Sequence, residues 1–358
     1  MVNHRISAVR RIMQFKKIDM FLINNIKNIS YLTGFTGSSG FVVLTKDKSL
    51  FFTDFRYKEQ AEKEVLGCEI RVEKDRRIKV LTSLINKLGI TSLGFETSIP
   101  YEFYEQLKKL PVTLSPQRDI IENLRKIKDE VEISNIKLAV QRAEKAFLKI
   151  KPRIKAGVKE LEIALRLEEQ LKKEGSRHIP FDIIVASGKN SSMPHAKPTE
   201  KKIEKGDFVI IDFGAEAMGY YSDITRTFII KGGSFSEKAK IYNIVNNARK
   251  KAIEAVRAGI NTKLIDKAAR DFIKEAGYGE FFGHGLGHGI GMDVHESPRI
   301  SWTKGEKVLN GQVFTVEPGI YIPGVGGVRI EDIILVKNGV AELLTSLNRD
   351  LEIIGNLN

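Results

Sequence analysis

"KGDFVIID" at residues 205–212 and "NGQVFTVE" at residues 310–317 share one design: a glycine, a run of apolar and β-branched residues, and an acid six positions after the glycine. Each reads as a strand that closes on a carboxylate, Asp212 in the first and Glu317 in the second. The repetition reaches upstream. "IKAGVKELEIALR" (154–166) parallels "VRAGINTKLIDKAAR" (256–270), and Gly157 precedes Gly175 by the same 18 positions that separate Gly259 from Gly277. A long amphipathic helix precedes each copy. In the first, Ile136, Val140, Ala143, Phe147 and Ile150 follow helical spacing until Pro152 stops them. In the second, Ile241, Ile244, Val245, Ala248, Ala252 and Val256 do so, with Ser234 and Glu237 spaced as a capping box. The spacing predicts two helix-helix-strand units related by a pseudo-twofold axis, their strands merged into one curved sheet with helices on its outer face.

Outward from this duplicated region, residues 1–124 read as a separate, smaller α/β domain, and residues 125–358 as the duplicated one. Residues 5–17 look amphipathic, "MFLI" (20–23) reads as a buried strand, "FVVLT" (41–45) and "SLFFT" (49–53) as a hairpin, and "RIKVLTSLINKLG" as a helix closed by Gly89. With 358 residues, 42% of them hydrophobic, the chain can bury cores of this size. No apolar run is long enough to cross a membrane, and the basic start lacks a signal-peptide core, so a cytoplasmic location is expected. The net charge of +13 is spread among acids, as in "RKIKDEVEISNIK", which is the pattern of solvated helix faces and argues against a nucleic-acid surface. Cys68 is the single cysteine, so any metal must be held by histidine and carboxylate.

Such a set is present. Each terminal acid is followed by a turn and a second strand carrying another acid: Asp223 in "YSDITRTF" and Glu331 in "GVRIEDIILV". Four carboxylates brought together by two hairpins cannot all stay ionised without cations, and two divalent ions would balance them. The glycine-rich stretch "GHGLGHGIGMDVHE" (283–296) adds His284, His288 and His295. Glycine at alternate positions disfavours a helix there; in an extended chain His284, Leu286, His288 and Ile290 share a face, and the glycines let another backbone approach. A glycine-rich loop with incidental histidines is the alternative. Oxygen-rich donors with one imidazole suit Mn²⁺ or Co²⁺, with Zn²⁺ as a further option.

Asp212, Asp223, His288, Glu317 and Glu331, in "IIDFG", "SDITRT", "GHGLGHGIGMDVHE", "VEPGIY" and "GVRIED", resemble the dinuclear centre of the pita-bread metallopeptidases, in the Xaa-Pro aminopeptidase and prolidase branch. The N-terminal domain resembles the creatinase/prolidase N-terminal domain. The resemblance implies an α+β pita-bread fold with a curved antiparallel sheet, and hydrolysis of the Xaa-Pro bond by a water shared between two metal ions. It implies that Asp212 chelates one ion, that Asp223 and Glu331 share both, and that His288 and Glu317 complete the other shell. Glu317 becomes a proton shuttle, His195 (in "SSMPHAKPT") and His295 contact the scissile carbonyl, and His284 positions the substrate. Tyr321 and Arg329 become hydrogen-bond partners of the ligands, although either could be an ordinary surface residue.

Substrate length is pulled two ways. "GFTGSSGFVVL" and "FFTDFRY" resemble Xaa-Pro aminopeptidases, the reading placed first, although Phe55 stands where that family often has glycine; Arg299 in "HESPRI" resembles the prolidase arginine that binds a dipeptide's free carboxylate. Proline-containing peptides are the expected partners and a homodimer the expected assembly. A non-catalytic pita-bread binding module is the competing class, and the complete ligand set argues against it.

Overall fold

The computed structural model describes residues 2–233 and 235–355. The chain divides into two units after Arg125. In the first, six strands form one sheet in the order β4-β3-β2-β1-β5-β6: β1 (Met20–Ile23), β2 (Phe41–Thr45), β3 (Ser49–Thr53), β4 (Glu69–Val72), β5 (Ser92–Glu96) and β6 (Thr113–Gln117). β1, β2 and β3 run antiparallel, whereas β4, β5 and β6 join in parallel. Alternate residues Met20, Leu22, Val43, Leu50, Phe52, Leu93 and Phe95 share one face and bury it against Val80, Leu81 and Ile85 of helix Arg77–Leu88. Gly89 closes that helix in the left-handed conformation.

The second unit displays its duplication in the backbone. The paired glycines all take positive φ at matching values: Gly157 and Gly259 at 89° and 87°, Gly175 and Gly277 at 96° and 88°, Gly206 and Gly311 at 82° and 83°. Their hydrogen bonds repeat too. Gly157 N donates to Ile203 O at 2.8 Å and Gly259 N to Val308 O at 2.7 Å; Gly206 N donates to Ile230 O and Gly311 N to Val336 O, both at 2.8 Å. The helices of the first copy span Glu130–Ile150 and Glu160–Lys173, those of the second Ser236–Ala255 and Thr262–Glu275. Asp129 and Glu132 form a capping box on the first of these, and Asn261 caps the last. Ser234, proposed as a cap from the sequence, lies outside the described residues.

The curved sheet consists of two ladders. One orders β19-β11-β8-β7, from β7 (Ile184–Ser187), β8 (Phe208–Phe213), β11 (Ile224–Ile230) and β19 (Ile353–Ile354), with the short hairpin β9 (Glu216–Ala217) and β10 (Tyr220–Tyr221) between β8 and β11. The other orders β13-β12-β14-β17-β18, from β12 (Gly287–Gly289), β13 (Glu296–Ile300), β14 (Val313–Val316), β17 (Asp332–Lys337) and β18 (Val340–Leu343). The hairpin β15 (Gly319–Ile322) and β16 (Gly326–Arg329) lies between β14 and β17 in sequence. Glu331 N donates to Thr225 O at 3.1 Å, and Thr227 Oγ1 bridges to the Arg329 backbone, which stitches the two ladders together. Only the pairing of β19 with β11 is parallel in these ladders. The second-copy helices cover the sheet with Tyr242, Val245, Ala248, Ile265, Ala269 and Ile273, packed against Phe314, Val316, Val328 and Ile334.

Candidate metal centre

The stitch between the ladders sets the site. Asp212 lies in β8, Asp223 just before β11, Glu317 just after β14, and Glu331 between β16 and β17, so each copy supplies two acids to the same place. His288 comes from β12. Ligand atoms of Asp223, His288 and Glu331 all lie within 4.8 Å of one another. His288 Nε2 stands 3.4 Å from Glu317 Oε1 and 3.7 Å from Asp223 Oδ2.

His288 Nδ1 meets its own strand at Gly289 O, 3.1 Å away, and a carbonyl only accepts, so Nδ1 carries the proton. The lone pair of Nε2 therefore points at the acids. Burial pushes the imidazolium pKa of His288 down to about 4, so the ring is neutral near pH 7. The acids shift the opposite way. Burial, followed by the charges of Glu331, Asp212 and Glu317, holds Asp223 well above the carboxylate range; burial and then Glu317 and Asp212 do the same to Glu331. Burial raises Glu317 to about 8 despite the opposing charge of Arg329.

The cradle is oxygen-rich and incomplete without a cation. Asp212 Oδ1 and Glu331 Oε1 are buried and receive no hydrogen bond from any donor among the described residues. Their other oxygens are occupied: Arg329 Nη2 donates to Asp212 Oδ2 at 2.8 Å, and Thr225 Oγ1 to Glu331 Oε2 at 2.8 Å. Two orphaned buried acceptors aimed into a nest of acids and one neutral imidazole fit divalent cations, whose charge would offset the repulsion that raises these pKa values.

Arg329 organises the periphery. It is 3% exposed and binds Asp212, the Tyr321 hydroxyl at 2.8 Å, Thr225 Oγ1 at 3.1 Å and Pro194 O at 3.2 Å. Tyr321 OH also meets His284 Nε2 at 3.0 Å. His284 is held neutral by burial, with its pKa lowered to about 4. Neither Arg329 nor Tyr321 is a surface residue. The bond from Arg329 to Pro194 O brings the exposed His195 to the rim of the centre. His295, also exposed, has its ring centroid 4.3 Å from that of His288. Arg299 pairs in register with His288 across β12 and β13. It is exposed and forms no hydrogen bond or ion pair among the described residues.

The extended reading of residues 284–290 holds only over Gly287–Gly289, where a bulge follows His288. Leu286 enters the apolar core instead of joining the histidines at the site. Two residues went unnoticed in the sequence. Thr225 and Thr315 each lie two positions from an acid ligand candidate, on the same strand face, and bond Glu331 Oε2 and Glu317 Oε1 at 2.8 and 3.4 Å. A threonine two positions from an acid was the available signal, but the duplication does not repeat it: the counterpart positions are Ile333, after Glu331, and Ile210, before Asp212.

A sheet whose two related halves close around four acids and an imidazole defines the class: a pita-bread metallopeptidase. Residues 134–338 match the Metallopeptidase family M24, and residues 5–127 match the Creatinase/Prolidase N-terminal domain. The chain belongs to family M24. It is 40% identical to a protein named Xaa-Pro dipeptidase from Pyrococcus horikoshii, over 98% of this chain and 99% of that one. Among solved structures it is similar to an Xaa-Pro dipeptidase from Bacillus anthracis, at 41% identity and TM-score 0.96 over 99% of this chain and 100% of that one. It is also similar to an X-Pro aminopeptidase from Thermotoga maritima, at 40% identity and TM-score 0.88 over 94% and 98%.

Proposed function

We propose that the protein hydrolyses the Xaa-Pro bond of dipeptides, using two divalent ions held by Asp212, Asp223, His288, Glu317 and Glu331. The observation that carries the dipeptide reading is Arg299. Its register opposite His288 places the two Cβ atoms on one sheet face about 5 Å apart. Its guanidinium is exposed and uncommitted, available to clamp the free carboxylate of a leaving proline. That position moves the reading from aminopeptidase, placed first on the N-terminal motifs, to dipeptidase. Relatives bearing either name, at almost equal identity, support the shared Xaa-Pro chemistry.

Divalent ions in such a site polarise a carbonyl and acidify a water. The side chains do the rest. Proline nitrogen has no hydrogen in the peptide bond and must gain a proton to leave. Glu317 takes a proton from the attacking water and returns it to that nitrogen. His195 and His295, at the rim, donate to the carbonyl oxygen as negative charge develops on it. Arg329 fixes Asp212 and Tyr321, and Tyr321 fixes His284. The donor set favours Mn²⁺ or Co²⁺. Assembly as a homodimer rests on the family resemblance, and a cytoplasmic location is the expectation drawn from the hydropathy of the sequence; no described helix is long and apolar enough to cross a membrane.

The test is a panel of Xaa-Pro and Xaa-Pro-Xaa peptides on wild type and Arg299→Ala after reloading with Mn²⁺ or Co²⁺. The dipeptide should be preferred, and Arg299→Ala should raise its KM about tenfold or more, the scale of a lost charge-assisted bond of about 1.5–3 kcal/mol. Equal turnover of tripeptides, with no effect of the substitution, would return the aminopeptidase reading.

A further inference from the structure

We propose that Arg270 and Asp266, on helix Thr262–Glu275, form a clamp that positions His284 in the centre. The proposal rests on the hydrolytic reading above, because it assigns His284 a place in that site.

The segment 282–286 forms neither helix nor strand and contains Gly283 and Gly285. Glycine leaves a backbone the most freedom to lose on ordering, so this segment needs external restraints to hold one geometry. A single ion pair supplies them. Arg270 Nε and Nη2 bond Asp266 Oδ2 and Oδ1 at 2.7 and 2.9 Å, a bidentate pair in which the carboxylate is buried. The remaining donors of the same guanidinium hold the segment: Nη1 bonds Phe282 O and Nη2 bonds His284 O, both at 2.8 Å. Asp266 Oδ1 takes the Leu286 N–H at 3.1 Å, and Leu286 O in turn takes the Glu317 N–H at 2.8 Å. Residues 282, 284 and 286 are thus pinned in alternation from one helix, and the next link reaches Glu317.

Aromatic rings fix the guanidinium itself. Its carbon lies 4.2 Å from the Phe282 ring centroid and 4.0 Å from that of Trp302, the sole tryptophan. The half-exposed Trp302 thereby acquires a function: it shelters the clamp. A lysine could keep the charge but not the planar fork that reaches Asp266 and two carbonyls together.

The variants are Arg270→Ala and Arg270→Lys, each checked for metal content and thermal unfolding. Hydrogen-deuterium exchange of the 282–290 segment should quicken about tenfold or more in Arg270→Ala, while β8 and β11 keep their protection. With Xaa-Pro substrate kcat should fall on the order of 10²-fold while KM stays within about twofold, the signature of displaced catalytic geometry. Arg270→Lys should recover only part of the loss. Combined with His284→Ala, Arg270→Ala should cost less than about threefold further, because the clamp acts through that histidine. Unchanged exchange at 282–290 in both variants, or a cost in the His284→Ala background equal to that in wild type, overturns the proposal. Should wild type cleave no Xaa-Pro peptide, the hydrolytic reading falls, and the exchange comparison decides the clamp by itself. Where Arg270→Ala does not fold, Arg270→Lys is read by the same criteria.

Discussion

Loading the centre with metal should expel protons, and the number is countable. In the metal-free protein Glu317 titrates at about 8 because burial disfavours its anion, and burial together with the charges of neighbouring acids also holds Asp223 and Glu331 well above the carboxylate range. At pH 7 Glu317 is therefore protonated roughly ten to one, and a cation can use its oxygens only after that proton leaves. His288 contributes none, since its ring is already neutral above about pH 4. Apparent metal affinity should rise about tenfold per pH unit for each competing proton as pH approaches 8, and the Glu317 contribution should level off above that. Titration calorimetry in two buffers of different ionisation enthalpy gives the proton count directly. We expect at least one proton released at pH 7, and a Glu317→Gln profile shallower by one proton between pH 6 and 8.

The same group sets an opposite trend in stability. A carboxyl raised from 4.5 to about 8 stabilises the metal-free fold fully below pH 4.5 and loses that contribution as pH climbs through 8. The span corresponds to about 5 kcal/mol at 1.36 kcal/mol per pH unit. The chelated enzyme should accordingly melt at lower temperature from pH 5 to pH 9, and the loaded enzyme should not follow it. Metal uptake without proton release at pH 6.5, or Glu317→Gln running parallel to wild type, would show that Glu317 meets the cation already ionised and would refute the reasoning.

Two further outcomes follow from packing. Asp332 is fully buried and bonds Arg226, Arg249 and Arg349; burial alone would raise its pKa, but the three guanidiniums outweigh it and hold it at about 2. Asp332→Asn should cost about 3–5 kcal/mol at pH 7 in urea unfolding, because cations remain buried without their partner. Wild-type stability from this group is complete above pH 3.8 and disappears as pH falls through 2, so the deficit should shrink in acid. Gly287→Ala should be comparably harmful, since its Cβ would stand 2.0 Å from Thr315 O and force β12 off β14. Loss of roughly 3 kcal/mol, seen as a lower Tm, should accompany weakened metal uptake through displaced His288.

What could be read in the sequence was what repeats or has a fixed period. Gly157, Gly175 and Gly206 have counterparts at Gly259, Gly277 and Gly311, and a left-handed turn is the physical reason for a glycine in each. The acids were legible because Asp212 and Glu317 each follow an apolar run, Asp212 one residue before the end of β8 and Glu317 one residue past β14, where an unpaired charge is costly. β5 ("SLGFE") and β6 ("TLSPQ") escaped notice because a glycine and a proline interrupt their patterns. The clamp from Arg270 to His284 O and the cluster around Asp332 are contacts between elements distant in the chain, with no local periodicity to announce them.

Arg226 shows why the duplicated halves need one another. It lies in β11 beside Thr225, and its five N–H donors are all used: on the carbonyls of Thr225, Glu331, Leu347 and Asn348, and on Asp332 Oδ1. One guanidinium thus binds the backbone on both sides of the stitch, next to Thr225, which holds Glu331 Oε2, and to Glu331 itself. Ionisation of these acids as a cation displaces their protons would push β11 and the Glu331 segment apart, whereas Arg226 links the two through bonds that do not involve the acids' side chains. The acids therefore stay gathered as the cations arrive. A centre held open in this way needs little reorganisation when the ions bind, which is how a fold can gather so many acids in one buried place and still present a ready cradle.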